Sequence, residues 1–300
     1  MKQETGPLIV VALGGNAISP PRGNLGFDLE RLLIDRAAQE LGEVALSGAR
    51  LLVVHGNGPQ VGRLLGEHEN HAVDLDIRVA QTQGELGYLI AEALSRCIAS
   101  DRTVAVNTRV LIDPNDPALS QPSKPVGAVL HARPEGVACA RMPDGHGWRR
   151  LVASPRPTSV IEQPAIAALL ATHHVIAGGG GGVPLGASDG ERRPQAAVVD
   201  KDRVAALLAV SLDADKLVFV TDVPCVFDRF GQFDQQPIKQ LAVDEARARL
   251  IEGVFAPGSM APKIESAIQF VEATRRSAII TALGTLTVAI KTNGGTAIHP

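Results

Sequence analysis

Aromatic side chains are scarce in this chain: seven Phe, Trp148 and Tyr88 are all that 300 residues contain. Stacking platforms for a single strand are therefore few, and a net charge of -3 supplies no basic field for a polyanion, which counts against nucleic acid as a partner. Cysteine is nearly absent. Cys97, Cys139 and Cys225 are widely separated, without metal-ligand or redox spacing, which predicts reduced structural thiols in a cytoplasmic protein. No CxxC, HExxH or histidine cluster offers a zinc site; His68 with His71, and His173 with His174, read as surface residues. No apolar run reaches membrane-spanning length, and the polar segment Met1–Pro7 does not read as a signal peptide. Lysine is the most informative scarcity. Seven of the 29 basic residues are Lys and the other 22 are Arg, so a lysine inside a special loop is a choice that needs a reason. Lys124, Lys201 and Lys263 each lie beside Gly, Pro or Asp breakers, and lysine's compact charge with three rotatable donors suits a moving phosphoryl group.

Glycine is plentiful at three places. The apolar runs Leu8–Leu13, Leu51–Val54 and His174–Ala177 empty into Gly14-Gly15-Asn16, His55-Gly56-Asn57-Gly58 and the five glycines Gly178 to Gly182. Bare backbone after a buried strand permits close approach to a ligand, and N–H groups at such loops and at the helix starts behind them bind anions. The glycine run closes before Val183-Pro184, and the acid pair around Lys201 opens a helical stretch through residue 212, with Asp200 or Asp202 as its cap.

Between these loops, helical spacing is read over Phe27–Gly48, Gln60–Gly66, Val79–Ala99, Ile161–Thr172 and Val243–Glu252, and again behind Lys263, where Pro262 suits a first turn. Thr103–Ile112, Lys216–Thr221, Ala278–Thr281 and Leu286–Lys291 read as strands. Asp113 to about Ser159 changes texture to Pro, Gly and Asp with short β-like pieces, an excursion from the main sheet. Strands alternating with helices predict an α/β protein with a largely parallel sheet covered on both faces, its ligand edge at the strands' carboxyl ends.

None of the three loops has the Lys-Ser/Thr pair of a Walker A motif, and no glycine-serine nucleophile elbow occurs. Gly56-x-Gly58-x-x-x-Gly62 approaches a dinucleotide fingerprint, with Asp74 or Asp76 as ribose partner. The polar stretch Glu67–His71 ahead of those acids is a poor second strand for that motif.

Eight segments taken in order resemble the carbamate kinases of the amino acid kinase superfamily: Val11–Ala17, His55–Gly62, Ser123–Gly127, Arg149–Pro155, Gly179–Pro184, Val199–Asp202, Leu217–Val223 and Gly258–Lys263. The resemblance implies one amino acid kinase domain over 1–300: an open, mainly parallel eight-stranded sheet between helical layers, with a small protruding subdomain over 113–159. It also implies an amino-terminal lobe for carbamate over 1–177, a carboxy-terminal nucleotide lobe over 178–300, and a homodimer. The implied reaction interconverts ATP plus carbamate and ADP plus carbamoyl phosphate, in arginine metabolism or another nitrogen-catabolic route. By the same resemblance, Lys124, Lys201, Asp202 and Lys263 are catalytic. Gly14, Gly15, Asn16, Gly56, Asn57, Gly58, Gly179 and Gly180 hold the acceptor and the transferring phosphate, and Asp222, Val223, Val226, Met260 and Lys263 lie along the nucleotide. Mg²⁺ is expected to travel with ATP or ADP, since no dedicated carboxylate cage is visible. Lys124 is expected on a moving lid formed by the excursion. The chain departs from the family at Pro224, Cys225 and Phe227, at Pro257 and Ala261, and at Arg156, where an acid is common. A sibling kinase for another small carboxylate, and a silent nucleotide sensor of the same fold, stay open as readings at this stage.

Overall fold

The computed structural model describes residues 6–18, 27–66, 75–142, 147–188 and 190–300. His68, His71 and Asp74 lie outside these, as does the side chain of Asn16. Eight strands form the main sheet in the order Gln240–Ala242, Thr296–His299, Ala278–Ala282, Lys216–Thr221, Leu8–Leu13, Arg50–His55, His174–Ile176, Thr103–Ala105. Every neighbouring pair is parallel except Ala278–Ala282 with Thr296–His299. Because helices cover both faces, the central strand has no solvent side: Leu8 to Leu13 are all buried. Val10 and Ala12 pack with Val204, Leu208, Ile264 and Val271 of the helices Lys201–Ser211 and Met260–Thr274. Ile9, Val11 and Leu13 pack on the other face with Leu41, Leu86 and Ile90 of Phe27–Leu46 and Leu75–Ile98. No helix among the described residues is long and apolar enough to cross a membrane.

A second, four-stranded sheet joins Arg109–Ile112, Pro157–Val160, Val183–Ser188 and Glu191–Pro194. The excursion after Asp113 holds a separate three-stranded sheet of Lys124–Leu130, Trp148–Val152 and Cys139–Arg141 with Trp148–Val152 central, whereas its last residues, Pro157–Val160, belong to the second sheet.

Two strands expected from the sequence are corrected. Thr103–Ile112 is two strands, not one, because the Gln83 amide clamps Thr108, accepting from its N–H at 2.8 Å and donating to its carbonyl at 3.0 Å. Leu286–Lys291 is not a strand but part of the helix Leu286–Thr292. Its β-branched composition is overridden by burial of Leu286 and Ala289 at helical spacing and by Glu40, whose carboxylate accepts the N–H groups of Gly284 and Leu286 at the helix start. Asn293 in the left-handed region ends that helix and releases the chain into Thr296–His299, a strand the composition did not announce. Two helices also begin earlier than their apolar spacing suggests, at Gly58 and Leu75.

Candidate functional site

The strand-end loops, the start of Lys201–Ser211 and the start of Met260–Thr274 share one edge of the main sheet. Two pockets open there. A cleft of about 320 Å³ is lined by Gly14, Gly15, Asp222, Val223, Val226 and Met260, with Lys124, Lys201, Asp202 and Lys263 in its wall. A smaller pocket continues from Gly15, Lys124 and Lys201 to Gly56, Asn57, Gly58 and Gly180. Of the residues expected from the sequence, all but Asn16 and Gly179 line one or both. Asn16 contributes only described backbone, in the short helix Gly15–Ile18. Gly179 lines neither cavity: a Cβ there would meet the His55 ring and Gln83.

Three lysines from three elements meet two aspartates. Asp200 caps Lys201–Ser211 by accepting the Asp202 N–H at 2.8 Å, and its other carboxylate oxygen accepts from the ammonium of Lys124, which comes from the three-stranded sheet. Asp202 accepts from Lys201 on one oxygen and from Lys263 Nζ, at 3.0 Å, on the other. Lys263 also donates to the Ser259 carbonyl at 3.3 Å, which holds it inside the first turns of its helix.

Burial works against the charges of Asp200, Lys201 and Lys263. It would raise the Asp200 carboxyl, but the ammoniums of Lys124 and Lys201, the hydrogen bond from Lys124 and the Asp202 N–H hold it well below the usual carboxylate range. Burial lowers the Lys201 ammonium, with Lys263 pushing the same way, and Asp202 and Asp200 only partly oppose them. For Lys263 burial is outweighed by Asp202, with help from Asp200 and Asp222, so its ammonium is strengthened. His55, completely buried at the end of its strand, is pushed down to about 4 chiefly by desolvation, against the Gly56 carbonyl and with the Lys201 charge. It is neutral at pH 7 and offers no cation.

The backbone donors are fewer than the glycines. The Gly14 N–H is spent on the Val220 carbonyl at 2.8 Å and the Gly56 N–H on the Leu13 carbonyl at 3.0 Å. Donors toward the smaller pocket include those of Gly15 and Gly58, first residues of the helices Gly15–Ile18 and Gly58–Gly66, where N–H groups have no intrahelical partner. Asn57 is fixed by donating to Thr82 Oγ1 at 2.8 Å, and that hydroxyl donates in turn to the Val79 carbonyl at 2.9 Å.

Among the described residues no group of three or more His, Cys, Asp or Glu could hold a metal ion. Asp200 and Asp202 are engaged by lysines, so they do not form a dedicated metal cage. A divalent cation entering with a nucleotide would be carried by phosphate oxygens and would neutralise their charge.

Sequence reasoning missed several residues here. Asp200 was legible only as a cap, although it also pairs with Lys124. Phe230 and Phe255 line the larger cleft beside Cys225 and Phe227, which the sequence marked only as departures from the family, and Arg149 lines the smaller pocket. Arg149 stands in one of the motif segments, which was its only signal.

Comparison with known proteins extends over nearly the whole length. The model of the amino acid kinase family matches residues 7–282. Carbamate kinase 2 of Enterococcus faecalis is 39% identical over 300 residues, covering 93% of this chain and 95% of its own. The carbamate kinase of Halobacterium salinarum is 37% identical over 303 residues, covering 97% and 98%. A solved structure of carbamate kinase from Giardia lamblia bound to AMP-PNP superposes with a TM-score of 0.89 at 31% identity, covering 99% of each chain.

Proposed function

The chain belongs to the amino acid kinase family and, within it, is a carbamate kinase; from that membership and the site's geometry we propose that it passes a phosphoryl group in line between ATP and carbamate, reversibly, with lysines and backbone N–H groups as its catalytic means. The observation that carries this mechanism is the convergence of Lys124, Lys201 and Lys263 on Asp200 and Asp202, on the wall between two adjoining pockets. The larger cleft takes the nucleotide, its base toward Val226 and Phe230 and its phosphates toward Lys263 and the start of Met260–Thr274. The smaller pocket takes carbamate, near Asn57 and the N–H groups of Gly15 and Gly58.

Carbamate is already an anion, so its attacking oxygen needs no general base. The neutral, buried His55 is consistent with that chemistry. What remains is to align the two oxygens and to offset charge on the phosphoryl group between them. Lys201, held by Asp202 at the positive end of its helix, sits on the shared wall and meets the transferring group; Lys124 meets it from the subdomain side. Mg²⁺, bound to the nucleotide phosphates, supplies further neutralisation there. The protein works as a homodimer in the cytoplasm, where its three cysteines, all free, stay reduced.

A coupled assay for ATP from ADP and carbamoyl phosphate tests the reaction. Turnover with carbamoyl phosphate supports it; absence of turnover, or turnover only with another acyl phosphate, rejects it in favour of a sibling kinase or a silent sensor. Lys263→Ala is expected to weaken ADP binding about tenfold or more, since a charge-assisted bond to phosphate contributes about 1.5–3 kcal/mol. Unchanged ADP affinity by calorimetry removes Lys263 from the nucleotide.

We also propose that segment 113–159 closes over the site as a lid. Its main sheet is separate from the body's two large sheets, and Lys124 reaches across from it to Asp200. Arg156, at its base, is tied by its backbone N–H to Asp116 at 2.8 Å and by its side chain to Glu265, which makes that end the anchored one. Hydrogen exchange with ADP and carbamoyl phosphate present is expected to slow across 124–152 more than across 8–13; identical exchange in both states eliminates the lid.

A further inference from the structure

Glu30 is fully buried in the first turn of Phe27–Leu46. A carboxylate out of reach of water is costly unless it is paired and hydrogen-bonded, so its presence there needs a reason. The helix start does not supply one, because Asp28, exposed in the same turn, already meets the positive end of the dipole. Its partners among the described residues stand on a single neighbour, Gly58–Gly66. One oxygen, Oε1, accepts from the side-chain amide of Gln60, and the other, Oε2, faces Arg63 Nη1 at 3.8 Å. Arg63 also donates through Nη2 to Glu85 of Leu75–Ile98, and its guanidinium lies 4.8 Å over the Phe27 ring. Gln60 belongs to the motif segment His55–Gly62, yet it lines neither pocket.

Gly58–Gly66 is nine residues long, too short to hold its own shape without its neighbours. Gln60 and Arg63, three apart, share the face that meets Glu30. Gly58, Pro59 and Val61 line the smaller pocket, and Gly62 meets the three-stranded sheet so closely that a Cβ would overlap Gly127. Apolar packing keeps such a helix from separating but is non-directional, so it leaves rotation about the axis weakly fixed. A carboxylate that receives an amide on one oxygen and faces a guanidinium with the other is directional. A rotation of about 25° would carry a backbone atom, about 2.3 Å from the axis, through about 1 Å. Misplacement on that scale is enough to cost ~10²-fold in rate at a reacting group.

We infer that Glu30 is a positioning residue for the acceptor pocket: through Gln60 and Arg63 it fixes the rotation of Gly58–Gly66, and with it the aim of the Gly58 N–H and the wall formed by Pro59 and Val61. The inference rests on the smaller pocket being the acceptor side. Glu30 touches neither substrate, so its effect is confined to the side its helix partner serves, and the nucleotide cleft is left alone.

The test uses the full-length chain with Glu30→Met, which removes the acceptor oxygens, and Glu30→Gln, which keeps an acceptor for the Gln60 amide. In ATP formation, Glu30→Met is expected to raise KM for carbamoyl phosphate about tenfold or more and to leave KM for ADP within about twofold, with Glu30→Gln recovering most of the loss. If Glu30 only supports the fold, both KM values move together or the melting temperature alone falls, and the inference is overturned. Unchanged KM values overturn it as well. Should Glu30→Met fail to fold, Gln60→Met breaks the same bond while leaving Glu30 beside Arg63; the same split is expected, and its absence rejects the assignment. Calorimetric titration with carbamoyl phosphate judges Glu30 without turnover: wild type is expected to bind and Glu30→Met to bind about tenfold more weakly, and equal binding by the two overturns the inference. A wild-type chain that binds carbamoyl phosphate but makes no ATP would sink the proposed reaction and leave Glu30's role standing, whereas no binding by wild type sinks both.

Discussion

Lys201→Met is expected to lower kcat for ATP formation by ~10²-fold or more while ADP still binds and the fold survives. Removal of one preorganised donor to transition-state charge costs about 2.7–4 kcal/mol in other sites, which sets that scale. The geometry makes the change clean. Methionine keeps most of the stem that Lys201 buries in the wall between the two pockets, and Asp202 keeps Lys263 as a partner at 3.0 Å. The deleted charge is one that burial opposes; Asp202 holds it through a hydrogen bond and Asp200 adds attraction, and the two offset burial only in part. Its retention in wild type is therefore a cost to the folded state, offset only if the charge is used. Loss of a buried, partly uncompensated ammonium should leave the melting temperature near that of wild type, or raise it. Steady-state kinetics beside a melting curve decide: a kcat within tenfold of wild type removes Lys201 from the transferring group.

The three strand-end loops were legible in the sequence because their signals are local: an apolar run and the glycines that follow it lie within ten residues. The lysines were legible because arginine is the chain's default cation, so each exception stood out. What the sequence concealed was distant or double. Lys124 and Asp200 are 76 positions apart, and nothing near either residue announces the pair. Asp200 announced only its cap, for which a side-chain oxygen suffices, while its second oxygen serves the subdomain. Gly14 and Gly56 line the two pockets, but whether a glycine N–H is free depends on the neighbouring strand, and both are consumed by the ladder. Leu286–Thr292 shows the opposite failure, of propensity against context: Thr, Val and Ile favour a strand, and the Glu40 carboxylate at the helix start, 246 positions from Leu286, helps decide otherwise.

Gly181→Ala should be nearly as damaging to activity as loss of a lysine, although Gly181 lines neither pocket. Its φ is 85°, and a Cβ there would overlap the carbonyl of Val199, the residue before Asp200 and Lys201. Left-handed backbone costs a non-glycine residue about 1–2 kcal/mol by itself. The overlap adds a second demand, because the contacted atom is backbone and can yield only by moving the strand of chain that delivers both Asp200 and Lys201. Gly180 beside it, with φ 61°, leaves the same kind of room for the Asn57 side chain, so the loop is the spacer that sets the acceptor loop against the lysine helix. A displacement of about 1 Å at a reacting group can cost ~10²-fold in rate. Gly136→Ala is the matched control: its φ is 71°, nothing lies within 4 Å of a Cβ there, and it lines neither pocket, so it carries the backbone strain without the overlap. The control is expected to lose a few degrees of melting temperature and keep its kcat, and Gly181→Ala to lose ~10²-fold in kcat at a temperature where it is still folded. Equal kcat in the two variants would show that the glycine run does not position the lysine helix.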